Sequence, residues 1–210
     1  MYLFLLLLFP IASIWLISKD SFFNQIIVDF REFFLYGILF FIPSFLIVTI
    51  FVSFLNRTYT VANIYFYYLL ADYFFYHFFC ILTCLIRFRN AMTISTSEGI
   101  SHYFLFMGGF YTAFTFYSAI TNFNSEDLYT LFLKPVTLLI MAAYSSVFLT
   151  LRDSETGVLR HILTALLAIF PVILALVPFF YYIRYPFVSF IIIIVIIAPG
   201  LYFYYRDRGV

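Results

Sequence analysis

An aspartate and a histidine interrupt the apolar, aromatic run YLLADYFFYHFFC, Tyr68 to Cys80. A carboxyl group in such a run can bind a cation or a proton, with nearby hydroxyls completing the site. It can equally be a hydrogen-bonded group that ties helices together. At helical spacing Tyr68, Asp72, Tyr76 and Phe79 share one face, which makes the two tyrosines candidate partners of Asp72. His77 lies about 140° round the helix from Asp72, on a stripe with Tyr73, Cys80 and Cys84. A helix with polar groups on two sides must be surrounded by other helices, because such groups facing lipid are costly.

A second charge, Lys134, is followed directly by Pro135. Its stripe runs Thr130, Lys134, Thr137, Met141 and Tyr144. Lys134 can snorkel to the outer interface or pair with Glu126 or Asp127. The sharper alternatives are an ion pair with Asp72 or a vestibule that attracts anions. Counted from the outer ends of their spans, Asp72 and Lys134 differ in depth by about 10 Å. A direct pair then requires helix tilt or a bridging water.

Two further patterns concern packing and hinging. Gly108, Thr112, Thr115, Ala119 and Asn122 form one face of a helix, with Gly109 beside it. Small and hydroxylated residues of this kind let helices approach closely and hydrogen-bond across the contact, within this chain or with another. Pro171 and Pro178 each remove a backbone donor and press on the carbonyl four residues back, at Leu167 and Leu174. Broken helices of this type line transport sites in some membrane proteins, although membrane helices also tolerate proline for other reasons.

The elements that must position these residues follow from composition. The chain has 210 residues, 65% hydrophobic and 10% charged. Soluble domains carry roughly 25% charged residues, so a bilayer is the natural solvent. A span needs about 20 mostly apolar residues. Segments at 1–18, 33–55, 61–86, 102–121, 130–151, 161–183 and 186–205 qualify. Segment 1–18 lacks the basic start and small-residue cleavage site of a signal peptide, so it reads as a retained helix. The expected fold is therefore an all-α, polytopic bundle of seven transmembrane helices, residues 1–210 forming one membrane domain. Six helices is the alternative if the first segment does not cross.

Charge sets the orientation. With the N-terminus outside and the C-terminus cytoplasmic, Lys19, Arg31, Arg87, Arg89, Arg152, Arg160, Arg206 and Arg208 fall inside. Only Arg57, Lys134 and Arg184 fall outside, the asymmetry expected of cytoplasmic loops. Ser95 and Glu98 form a capping box opening the fourth span, and Asn124 to Asp127 cap the fifth. Arg152 to Gly157 make a polar turn before the sixth. The stretch Lys19 to Phe34 has one apolar face and reads as a segment lying in the inner interface.

No nucleophile elbow, phosphate-binding glycine loop or HExxH pair is present. His77, Cys80 and Cys84 are a poor metal-ligand set, and His77, His102 and His161 do not form a haem pair. No cofactor, metal or nucleic-acid partner is expected; the bilayer is the partner, with other membrane subunits as a second possibility. Three functions fit: a transporter, channel-type protein or permease component with a polar site at Asp72; a non-catalytic assembly subunit; and an intramembrane enzyme acting on a lipid. The abundance of Phe, Tyr and Ile suits an AT-rich genome. The expected location is a bacterial cytoplasmic membrane, or an organellar inner membrane.

Overall fold

The computed structural model describes residues 23–53, 61–87, 96–121 and 129–206. Among these residues every regular element is a helix, and there are six long ones. Helix α1 is Phe23–Ser53. Helix α2 covers residues 61–87 as Val61–Tyr68, a wider π turn at Leu69–Phe74, and Phe75–Arg87. Helix α3 is Thr96–Thr121. Helix α4 covers residues 129–154, opening with a π turn at Tyr129–Leu133 and continuing as Lys134–Ser154. Helix α5 runs Gly157–Leu174 and, after an interruption at Ala175, Leu176–Tyr182. Helix α6 is Pro186–Arg206.

Four of these are long and apolar enough to cross a membrane: the stretches Glu32–Ser53, Val61–Ile86, Lys134–Ser154 and Gly157–Tyr182. In α6 the apolar part, Pro186–Pro199, is shorter. The first expected span, 1–18, lies outside the described residues, as do the proposed caps Ser95 and Asn124 to Asp127. Helix α3 begins at the residue after Ser95.

The bundle has an apolar core, and much of its outer surface is apolar too. On α1, Leu35, Leu39, Ile42, Leu46 and Ile50 are all exposed. They recur every three or four residues and so make one continuous apolar face. On α6, Phe187, Ile191, Ile194 and Val195 do the same. Meanwhile His77, Ser118, Lys134, Thr137, Ser145, Ser146 and Ser189 are buried. Water would penalise that outer surface heavily, whereas hydrocarbon would not. Polar groups therefore sit where neighbouring helices can satisfy them.

Helix α3 is the centre of the bundle, with residues 103–111 buried on every side. It lies parallel to α1, Phe33 meeting His102 at one end and Phe45 meeting Tyr117 at the other. Their crossing is set by two glycines. A side chain at Gly37 would collide with the carbonyl of Phe106, and one at Gly109 with the carbonyl of Phe34. Each glycine thus admits the other helix's backbone, the close approach that small residues permit in lipid. The close approach of α3 to α1 is therefore made through Gly109 and Gly37, Gly109 lying beside the face of Gly108, Thr112 and Thr115.

Two expectations are corrected. The stretch 23–34 is not a separate interfacial element, because α1 runs through it without a break. No glycine or proline interrupts the sequence there, and extending an existing helix costs far less than starting a new one. The hydroxyls of Thr112 and Thr115 do not reach across to other helices. They bond to the carbonyls of Gly108 and Tyr111 in their own helix, at 2.6 and 2.8 Å. That back-bonding satisfies a hydroxyl wherever no partner is in reach. The side chain of Ala119 lies outside the described ones.

The polar turn expected at Arg152 to Gly157 is confined to two residues, because Arg152 to Ser154 still belong to α4. Glu155 and Thr156 are extended, and Gly157 opens α5 at φ +66°, a conformation glycine adopts without a steric cost. At the next turn Arg184 takes φ +71°, where a side chain is strained.

Candidate functional site

Asp72 and Lys134 meet directly. The Lys134 ammonium lies 3.0 Å from Asp72 Oδ1, with side chains 9% and 16% exposed respectively. It also donates to Ser118 Oγ at 3.2 Å and sits over the ring of Phe114, 4.5 Å from its centre. The three N–H bonds of the ammonium therefore have an anion, a hydroxyl and an aromatic face to point at. Three helices are joined at this point: α2, α3 and α4.

The depth difference counted from sequence vanishes because the helices are staggered. Asp72 is about 17 Å along α2, while Lys134 is only about 8 Å into α4, at 1.5 Å per residue. Ser118 is likewise near the end of α3. The first half of α2 packs on α5, Tyr65 bonding to the Val172 carbonyl at 2.9 Å. Counting from span ends assumed that all helices start in one plane.

Both charges sit on altered helix turns. Asp72 is inside the π turn of α2, where the N–H of Phe75 reaches back five residues to the Leu70 carbonyl at its end. Lys134 follows the π turn of α4. Pro135 has no N–H, so the Leu131 carbonyl inside that turn lacks its usual donor four residues on. Such turns widen the helix and re-aim side chains, and they concentrate at functional positions.

A chain of hydroxyls supports the carboxylate. Tyr129 donates to Asp72 Oδ2 at 3.4 Å, Tyr73 lies 3.0 Å from Tyr129, and Thr137 lies 2.8 Å from Tyr73. Each hydroxyl has one proton. Thr137 gives its proton to the Lys134 carbonyl at 2.8 Å, so with Tyr129 donating to the carboxylate the Tyr73 proton goes to either Tyr129 or Thr137. Tyr68 stacks on Tyr182 at 4.8 Å and meets Tyr129 edge-on. Tyr76 packs on Phe114 at 4.2 Å, behind the ring that faces the ammonium. The two tyrosines named from helical spacing thus meet the site through their rings. Tyr129, Ser118 and Phe114 were not marked by any sequence pattern.

His77 lies on another contact, deeper in the bundle. Its Nδ1 is 2.8 Å from the Tyr111 hydroxyl and its Nε2 3.4 Å from Ser145 Oγ. In α5, Pro171 leaves the Leu167 carbonyl without its helical donor. Pro171 itself is accommodated within α5, and the break falls at Ala175, next to the Leu174 carbonyl that Pro178 deprives. Side chains supply donors around the break, Tyr65 at Val172 and Ser189 at Val177, the latter at 2.7 Å.

A second charged cluster closes the opposite end. Tyr103 donates to Asp153 Oδ2 at 2.5 Å, and Arg152 bonds both Asp153 Oδ1 at 2.9 Å and Thr164 at 3.1 Å. Nineteen residues of helix separate Lys134 from Asp153, roughly 28 Å, close to the thickness of a hydrocarbon core. Among the described residues, no group of three or more His, Cys, Asp or Glu side chains is placed to hold a metal ion.

Comparison with known proteins adds no family: no family model, no curated protein and no solved structure matches this chain.

Proposed function

We propose that this chain is an integral membrane protein that works in transport, alone or as a permease component, with the Asp72–Lys134 pair as its site. The carrying observation is that pair, a buried acid and base joining three helices of an apolar bundle. A passive bundle gains little from such a pair. Desolvating two charges costs several kcal/mol each, and well-packed apolar residues in their place are often equally stable. Charged groups inside membrane helices mark ion and substrate paths for the same reason. The π turns beside both charges and the interruption in α5 add backbone that can shift.

The proposed topology keeps seven spans, with segment 1–18 as the first, the N-terminus outside and the C-terminus cytoplasmic. The Arg152–Asp153 cluster then marks the cytoplasmic end. A bacterial cytoplasmic membrane is the proposed location, with an organellar inner membrane as the alternative. The assembly-subunit reading, which rests on the face of Gly108, Thr112, Thr115 and Ala119, stays the alternative; Gly109, beside that face, is occupied by α1.

The test is flux in vesicles. Purified chain is reconstituted beside an Asp72→Asn variant, and the collapse of an imposed pH gradient or membrane potential is followed across a panel of ions and amines. Transport requires a solute that moves in wild type and not in the variant, with both proteins equally folded. Equal behaviour of the two proteins for every solute would reduce Asp72 to a structural group.

A further inference from the structure

The Lys134 head is itself an alkylammonium ion in a recognition site. A carboxylate and a hydroxyl accept from it, at 3.0 and 3.2 Å, and an aromatic face lies 4.5 Å away. We propose that this seat binds a small primary alkylammonium ion, and that Lys134 is its built-in occupant, displaced when the ligand enters. The proposal rests on the transport reading, for which it supplies the substrate class.

The sign of the ligand follows from where bonding capacity remains. An anion would need donors from Lys134, whose three N–H bonds already have Asp72, Ser118 and Phe114 before them. The carboxylate is different. Its Oδ2 has a single described partner, Tyr129, at the long distance of 3.4 Å. A carboxylate offers about four acceptor positions, so a cation can dock on Oδ2 before the lysine leaves Oδ1. Asp72 is also the more exposed of the two partners, 16% against 9%.

The class narrows further. Asp72 and Ser118 are both acceptors here, so the ligand needs at least two N–H bonds. A primary ammonium has three and a quaternary ammonium none. The tethered lysine competes at high effective concentration, so a free ligand binds weakly in wild type and much more tightly once the lysine is removed.

The chain has two lysines, Lys19 and Lys134, which makes displacement readable directly. Full-length protein in detergent is treated briefly with an amine-acylating reagent, and the labelling of Lys134 relative to Lys19 is read by mass spectrometry. Millimolar methylammonium should raise that ratio at least threefold, while tetramethylammonium at equal concentration leaves it unchanged. Thermal unfolding gives the second reading. Methylammonium should stabilise Lys134→Ala at concentrations at least tenfold below those needed for wild type, and should leave Asp72→Asn unmoved. An unchanged labelling ratio, an equal response to both salts, or a weaker response in Lys134→Ala than in wild type overturns the site. If Lys134→Ala does not fold, the labelling ratio decides alone. A responsive ratio without flux removes the transport reading and keeps the site; Asp72-dependent flux with an unresponsive ratio does the reverse.

Discussion

Breaking the Asp72–Lys134 pair one residue at a time should cost more than removing it whole, and the two single changes should differ. Lys134→Met leaves the carboxylate with Tyr129 alone, at 3.4 Å. Asp72→Asn leaves the ammonium with Ser118 at 3.2 Å and the Phe114 face at 4.5 Å, and the new amide oxygen can still accept. Removing one partner of a buried pair costs about 3–5 kcal/mol. Lys134→Met belongs at the upper end of that range and Asp72→Asn at or below the lower. The double change Asp72→Leu with Lys134→Met strands no charge and should return to within about 1 kcal/mol of wild type, because apolar replacement of a buried pair is often neutral. For a chain of this size, 1 kcal/mol moves the unfolding midpoint by roughly 2–4 °C. Lys134→Met should then lose on the order of 10 °C, followed by circular dichroism in one detergent, with the double variant close to wild type. A double variant that loses the sum of the two single changes would mean the charges act independently, and the pairing argument would fail.

The remaining predictions use the same assay. Gly109→Ala places a methyl group against the backbone of Phe34, which cannot rotate away; it should cost at least about 1–3 kcal/mol, and Gly37→Ala, facing the Phe106 backbone, should behave alike. Arg184→Gly relieves a left-handed backbone angle and should gain about 1 kcal/mol, with no effect on flux; a lower midpoint would show that the turn needs its side chain. His77→Leu removes the partner of Tyr111 and Ser145 and should cost about 1–3 kcal/mol; an unchanged midpoint would show that the two hydroxyls are satisfied without it.

Much of the fold was legible because lipid writes a strong rule into sequence. Long apolar runs announce helices: five of the seven expected segments coincide with α2 to α6, four of them starting within four residues and α3 six residues early, and α2, α4 and α5 among them are long and apolar enough to span. The start of α1 was misjudged because its early turns carry charges, which suit an interface as well as a helix. Charge marks where a helix leaves hydrocarbon, not where it begins. Gly109 was visible as one of a small-residue group, but Gly37 stood alone among large side chains. A glycine that admits a backbone is defined by the helix opposite, and that helix is chosen by packing.

The site was half legible for a related reason. Asp72 and Lys134 stand out because charge is rare in these helices, and rarity is a local property that a sequence displays. Their union depended on the stagger between α2 and α4, which no span count contains. Tyr129, Tyr73 and Ser118 were hidden by abundance: with 19 tyrosines in the chain, one hydroxyl carries no signal until its neighbours are known. His77 shows the opposite case: a buried histidine in an apolar bundle requires partners, and it finds them in the hydroxyls of Tyr111 and Ser145. Those partners lie on α3 and α4, and which tyrosine or serine faces the imidazole is decided by packing between helices and not by spacing along one.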